Sequence, residues 1–379
     1  MKNTLVLIFG IICIIGGLSI TAYHYMNDDT PMIEQQQDNS MDGLIEFEKW
    51  AEEQQAKKIV EQEEQKEKEE KIITKDITVF LAGDVMLSRG VESTILKKND
   101  FNYPFLLYKD IISKADIAFA NLESPIFEGA VVPTGSFVFR ADPRSVDSME
   151  WAGFDILGLA NNHILNKGEQ GLLNTFEELD DAEIGYCGAA KNSSEIQNFY
   201  IKEVNGLKIG FLCYAYGPDY YAATKNKAGM VLTDIEQLKS DLAKIKEQVD
   251  FSIVSMHAGI EYRHNKSDDQ ERFAYAAIDN GAELVIGHHP HVVQEAEIYK
   301  NKYIFYSLGN FVFDQMWSDE TKQGVALEVK INEEGVYGIM KYPYIIEDYA
   351  QPRPATESEA EIINGYLGLE DTIIEDKEF

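Results

Sequence analysis

The chain has 379 residues, 45% of them apolar, enough for one large or two ordinary domains around a buried core. Its 65 acidic and 34 basic residues give a formal net charge of −31. That balance excludes nucleic acid as a partner, because phosphate backbones are bound by clustered Lys and Arg.

Met1-Lys2-Asn3 opens into an uncharged apolar run over residues 4–23, a length that fits one bilayer span. A cleaved signal peptide is the rival reading, but no clear small-x-small cleavage site is present. Gly10-Ile11-Ile12 before Cys13 is a poor match to a lipoprotein acceptor site. Lys2 precedes the run and acidic residues dominate after it. The positive-inside rule then puts the N-terminus in the cytoplasm and the bulk of the chain outside. The expectation is a single-pass cell-membrane anchor at 1–26 with an extracellular C-terminal domain.

Residues 27–75 read as an acidic helical stalk or linker. The stretch 41–71 is rich in Glu, Gln and Lys and lacks Pro, which predicts a solvated helix. Leu44, Phe47 and Trp50 lie at spacings of three, so pairing with a partner helix stays open. Three cysteines do not make a disulfide scaffold. Cys187 and Cys213 either pair, if the domain is extracellular, or are small core residues.

Between 76 and 350 the chain repeats one pattern: an apolar run ends in polar residues, often after a glycine. Such a run reads as a buried parallel strand. The first leads to Gly83-Asp84, the second to Asn121-Leu-Glu123, the third to Asn161-Asn162-His163, and a later one to His257. Leu284-Val-Ile-Gly287 leads to His288-His289-Pro-His291. Helices are expected at 169–180, 238–249 and 270–280, with a last strand at 325–331. Strands alternating with helices predict one layered α/β domain. Residues 351–379 form an acidic tail, read as a short amphipathic helix or a disordered end.

The ends of open α/β strands are where ligands are held. Each residue alone has a bland reading: an Asp at a strand end, a capping His, a polar loop with an HxH. Taken together, Asp84, Glu123, Asn162, His257, His289 and His291 form a carboxylate, amide and imidazole set. That set suits Mn, Fe or Zn better than Ca or copper. His163, beside Asn162, is the candidate acid for a leaving group. Arg89, Arg140 and Arg263 are candidate clamps for a carboxylate or phosphate. No Gly-x-Ser-x-Gly elbow and no P-loop occur.

Gly83-Asp84-Val-Met, Asn121-Leu-Glu123, Ala160-Asn161-Asn162-His163, His257-Ala-Gly259, Gly287-His288-His289-Pro-His291 and Tyr306-Ser-Leu-Gly-Asn310-Phe stand in that order over about residues 77–345. With the N-terminal run, this ordered set resembles the CapA/PgsA family of poly-γ-glutamate capsule synthesis proteins, a divergent branch of the calcineurin-like metallophosphoesterases. The resemblance implies a four-layer αββα sandwich with two mixed sheets and one or two divalent ions. It also implies work beside the poly-γ-glutamate ligase and its small membrane subunits. The parent superfamily opens with Asp-x-His, whereas Asp84 is followed by Val85-Met86, so one imidazole ligand is absent. Three functions follow in order of preference: a subunit for poly-γ-glutamate synthesis and export, a surface metal-dependent phosphoesterase, and a non-catalytic scaffold.

Overall fold

The computed structural model describes residues 54–60, 76–193 and 198–369, and the backbone of 374–376. The chain divides into two units, 1–71 and 72–379. In the first, residues 54–60 are helical, within the expected stalk. The expected anchor at 1–26 and the rest of the stalk lie outside the described residues. Among the described residues no helix is long and apolar enough to cross a membrane.

In the second unit the strands are β1 (Ile77–Val85), β2 (Ile117–Leu122), β3 (Ile156–Gly158), β4 (Gly185–Cys187), β5 (Ala189–Ala190), β6 (Phe199–Val204), β7 (Leu207–Ala215), β8 (Gly229–Met230) and β9 (Phe251–His257). They continue with β10 (Leu284–His288), β11 (Ala296–Tyr299), β12 (Lys302–Phe305), β13 (Asn310–Val312), β14 (Gln323–Asn332), β15 (Gly335–Glu347), β16 (Gln351–Pro354) and β17 (Ile374–Asp376). One mixed sheet runs β16-β15-β14-β1-β2-β3-β4, with β13 against β1 and β17 against β15. Its β1 to β4 are parallel, and β14 to β16 continue it antiparallel. The other sheet runs β11-β12-β10-β9-β7-β6, parallel in its four central strands and antiparallel at both edges.

The parallel strands are apolar along their length because both faces are covered. All six residues of β2 and all seven of β9 are buried. In the second sheet, alternate side chains serve two cores. Ile209, Phe211, Ile253 and Ile286 share a core with the first sheet. Leu212, Val254, Met256 and Val285 pack with Leu238 and Leu242 of the helix Ile235–Ile245 and with Phe273 and Ala277 of the helix Asp268–Asp279. Phe119 of β2 stacks on Phe211 of β7 with ring centroids 5.4 Å apart. Cys187 of β4 and Cys213 of β7 form a disulfide, so the same two sheets are also joined covalently.

The strand-ending glycines have a specific cause. A Cβ at Gly83 would lie 2.0 Å from the Gly309 carbonyl oxygen, and one at Gly287 would lie 1.9 Å from that of Tyr306. The segment 306–310 therefore crosses the ends of both strands at backbone contact. Asp84 N–H donates to Gly309 O at 3.0 Å, and Leu308 N–H donates to Gly287 O at 3.1 Å. One short segment thus stitches β1 of the first sheet to β10 of the second, beside Asp84 and His288.

The last part of the chain differs from the sequence reading. The strand expected at 325–331 is β14, and the longer β15 follows it. Residues expected in an acidic tail first pair with β15 as β16, and then form the helix Glu357–Leu367, the short helix that is one of the two readings of the tail. Ile363 and Leu367 of that helix are buried in the main core. The helix expected at 238–249 begins earlier, because the Asp234 side chain caps it by accepting Gln237 N–H at 2.8 Å.

Gly83→Ala and Gly287→Ala each force a methyl against backbone, and each is expected to destabilise the full-length chain by about 2 kcal/mol or more. Gly365→Ala, in a helix where a Cβ meets nothing, should be neutral or slightly stabilising. Urea denaturation checks this, and equal midpoints for all three variants would refute the close-approach account.

Candidate metal centre

Five strand ends from two sheets converge on one buried site. Asp84 is the penultimate residue of β1, and Glu123 follows β2 directly. Asn162 and His163 follow β3, His257 ends β9, and His288, His289 and His291 leave β10. His257 Nδ1 lies 4.0 Å and His291 Nδ1 3.8 Å from the Asp84 carboxylate. His163 Nε2 and His291 Nε2 lie 3.8 and 3.9 Å from Glu123 Oε1. His257 Nε2 meets Asn162 Oδ1 at 2.9 Å. The structure therefore brings together Asp84, Glu123, Asn162, His163, His257, His289 and His291.

Amides orient this set. Asp84 accepts from Asn121 Nδ2 at 2.7 Å and from the His289 N–H at 3.1 Å. Asn161 Nδ2 donates to Asn121 Oδ1 and to Leu122 O. Asn310 Nδ2 donates to Thr321 O at 2.9 Å, which leaves its Oδ1 to accept from His291 Nδ1 at 2.9 Å. His291 Nε2 is then free of hydrogen and faces Glu123, the tautomer a metal ligand requires. Asn166 Oδ1 accepts the Phe139 N–H at 2.6 Å and His163 Nδ1 at 2.9 Å. The same logic leaves the lone pair of His163 on Nε2. Arg89, Tyr262, His289 and His291 all have positive φ, a concentration of backbone strain typical of functional sites.

Burial sets the charges. It would raise Asp84, yet contacts from His288, His257 and His291 outweigh it and hold the carboxyl well below the usual range. His288 Nδ1 is 3.3 Å away. Because burial keeps His257 neutral, the hydrogen bonds to Asp84 count for more here than imidazole charge. Glu123 is the converse case. Burial, then the Asp84 and Glu261 charges, raise it well above the usual carboxylate range. It is fully buried, and neither carboxylate oxygen has a hydrogen-bond partner among the described residues. Burial pushes His163 and His289 down to about 4. At neutral pH the pocket is thus lined with electron-pair donors, as cation binding demands.

Two groups have ligand atoms within 4.8 Å of one another: Asp84, Glu123 and His257, and Glu261, His289 and His291. These residues could hold a divalent metal ion, and the orphaned Glu123 oxygens fit that use. Glu261, at the exposed end of the loop after β9, carried no role in the sequence reading, and nothing in the sequence marks it. His288 is buried behind the site, whereas the HxH spacing draws attention to His289 and His291. Met86, two residues after Asp84, accepts the Ser88 N–H on its sulfur at 3.2 Å.

The three arginines fare differently. The Arg89 guanidinium pairs with buried Asp314 and lies 4.5 Å from the Phe139 ring. Phe139 in turn stacks on His163 at 3.9 Å, so Arg89 adjoins the site. Arg263 is exposed in the loop that carries Glu261. Arg140 is 1% exposed and pairs with Glu92 at 2.6 Å. The guanidinium expected to grip a ligand is thus engaged inside the protein, out of reach of solvent.

His163 and His289 titrate below the ordinary 6.5 in the folded protein. The unfolded chain then binds more protons between the two values, so stability is full above about pH 6.5 and falls as pH drops toward 4. Glu123 acts in the opposite sense, its folded value being raised. The readout is therefore the difference between wild type and His163→Gln in the metal-free chain. Wild type should lose roughly 1–2 kcal/mol more than the variant between pH 7 and 5. Parallel profiles would contradict a buried neutral His163.

The family model for the bacterial capsule synthesis protein PGA_cap matches residues 78–315. The capsule biosynthesis protein CapA of Bacillus anthracis is 30% identical over 294 residues, 74% of this chain and 70% of that protein. The PGA biosynthesis protein CapA of Bacillus subtilis (strain 168) is 29% identical over 282 residues, 73% of each. A looser likeness is to the NAD nucleotidase NadN of Haemophilus influenzae, with TM-score 0.47 and 13% identity over 80% of this chain and 64% of that one. That structure is too distant to bear on the site. The ordered strand-end motifs and the match over most of the folded unit agree: the chain belongs to the bacterial capsule synthesis protein family PGA_cap.

Proposed function

We propose that this chain is a membrane-anchored extracellular subunit of poly-γ-glutamate synthesis and export, and that its cleft handles the polymer through one or two divalent ions. The observation that carries the metal reading is Glu123, a fully buried carboxylate with no hydrogen-bond partner among the described residues, set beside ionised Asp84 and neutral imidazoles. Burying such a group uncompensated costs several kcal/mol, and a cation is the compensation this donor set suits. The polymer is supported by the names of the relatives, both capsule or PGA biosynthesis proteins. The disulfide between Cys187 and Cys213 favours an oxidising compartment, which supports the extracellular placement read from the N-terminal run. The partners in this reading are the poly-γ-glutamate ligase and its small membrane subunits. The two packed sheets, with helices against the second, support the αββα sandwich that the family resemblance implies.

Asp84, Glu123, Asn162, His257, His289 and His291 would hold the metal, Mn, Fe or Zn, and Glu261 adds an exposed carboxylate to the second group. When bound, such an ion polarises a carbonyl or phosphoryl oxygen and lowers the pKa of coordinated water. His163 would hold and release a proton at the leaving group, with Asn166 fixing which ring nitrogen does so. Burial keeps that imidazole neutral at rest, and polymer carboxylates arriving beside it would raise its proton affinity. Arg89 and Arg263 would meet those carboxylates.

The purified full-length chain is expected to bind Mn or Zn, and combined His289→Ala and His291→Ala should weaken that binding by about 100-fold or more. Deleting the gene should remove surface poly-γ-glutamate, and the double variant should fail to restore it. Normal capsule in the deletion strain rejects the proposed role. Normal capsule with the double variant rejects the metal cleft and leaves a scaffold.

A further inference from the structure

A cavity of 340 Å³ opens beside the metal cleft. One wall is Ala258, Gly259 and Ile260, the segment that joins His257 to Glu261, so cavity and cleft share a loop. Tyr216 and Phe273 supply further apolar surface, and Arg272 stands in the lining. The cavity lies beyond the carboxyl ends of β7 and β9, the side where α/β sheets hold ligands.

The shared wall is thin and fixed. Tyr216 N–H donates to His257 O at 2.9 Å, and Ala258 N–H donates to His288 O at 3.1 Å. Gly259 has φ +125°, and a Cβ there would lie 2.6 Å from Gln270 Oε1. Gln270 cannot yield easily, being fully buried and bonded to Gln294 and Tyr306 O. Tyr216 and Ile260 are nonetheless 65% and 59% exposed, so a rigid apolar surface faces solvent next to the site.

The charge pattern narrows the ligand. Arg272 is paired with Asp269 at 2.6 Å, with both side chains about two-thirds exposed. Asp269 lines the cavity as well, and because an exposed pair of this kind is weak, an incoming carboxylate competes with Asp269 for Arg272 on similar terms. The volume is near the lower end for small-molecule sites, about 300–1,000 Å³, and suits one small unit rather than a long segment. A γ-linked glutamate chain has two methylenes and an amide per unit in its main chain, and one free carboxylate. It presents apolar stretches punctuated by single anions, which match the Tyr216, Ile260 and Phe273 surface and the one guanidinium of a lining that also holds Thr233, Ser267 and Asp269. An α-linked chain holds its methylenes in side chains and places its carboxylates differently.

We infer that this cavity is a subsite for one glutamyl unit of a γ-linked polymer, which seats its methylenes on Tyr216, Ile260 and Phe273 and its free carboxylate on Arg272. The neighbouring linkage then lies over the segment between His257 and Glu261. The inference rests on the proposed polymer role and adds to it a place and a polarity of binding.

Calorimetric titration of the full-length chain with γ-linked tetraglutamate tests the inference, with α-linked tetraglutamate as comparison and Mn²⁺ affinity measured separately. The γ-linked oligomer is expected to bind more tightly than the α-linked one. Ile260→Trp, which fills the cavity from an already exposed position, and Arg272→Glu should each weaken it by about tenfold or more. Melting temperature and Mn²⁺ affinity should not change. No binding by the wild type, no preference for the γ linkage, or equal affinity in all three proteins would overturn the subsite. If the wild type fails to bind Mn²⁺, the metal reading falls by itself, and titration of the metal-free chain still decides the subsite.

Discussion

Two carboxylates buried side by side cannot both stay ionised at low cost, and Asp84 and Glu123 are both fully buried in one pocket. Without a cation the protein divides the burden unequally. Asp84 keeps its charge through contacts from His288, His257 and His291, beside which the Asn121 amide and the His289 N–H also donate to it, while Glu123 is pushed toward its protonated form. Burial keeps the imidazoles of His257, His163 and His289 neutral, so these three rings cannot neutralise a second anion. The two carboxylates thus gain no counter-charge from them. A divalent ion would correct that deficit in one step, which is why the unpartnered Glu123 carries more weight than any count of histidines.

The scaffold answers a demand for precise placement from distant parts of the chain. Acid groups come from β1 and β2 of one sheet, and all the imidazoles but His163, which follows β3, from β9 and β10 of the other. Their relative position depends on how the two sheets sit face to face. Three features fix that relation: the Phe119–Phe211 stack, the Cys187–Cys213 disulfide, and the segment 306–310 bonded to both β1 and β10. Asn310, at the end of that segment, also sets the tautomer of His291. One stretch of chain therefore joins the sheets and orients a candidate metal ligand, so packing and site geometry are coupled through the same residues.

What could be read in advance follows from this arrangement. Parallel strands buried on both faces announce themselves as apolar runs, and a close backbone crossing at their ends demands glycine. Asp84, His163, His257 and His289 were legible for that reason. Among the late elements β15 and β16 were not, and the tail helix was only one of two readings. β15 mixes exposed and buried positions and contains Pro343, and the helix Glu357–Leu367 buries few residues in an acidic sequence. Arg140 looks like any strand-end cation until Glu92, 48 positions earlier, is found against it. The pairing of Cys187 with Cys213 and the approach of Glu261 to His289 are likewise products of tertiary folding that local sequence does not encode.

The net charge of −31 bears on how such a protein could handle a polymer of carboxylates. Long-range electrostatics oppose the encounter, so attraction has to be local and short-ranged. The cations near the cleft are few and none is strongly presented. Arg89 is shared with Asp314, Arg272 with Asp269, and Arg263 stands in an exposed loop. Contacts of this strength, screened within about 8 Å at physiological salt, can hold one or two units of a polyanion while the rest of the protein repels what lies beyond. That combination would suit passage of a chain past a cleft better than its retention, and discrimination between linkages would then rest on the few residues proposed to meet the polymer rather than on the overall charge.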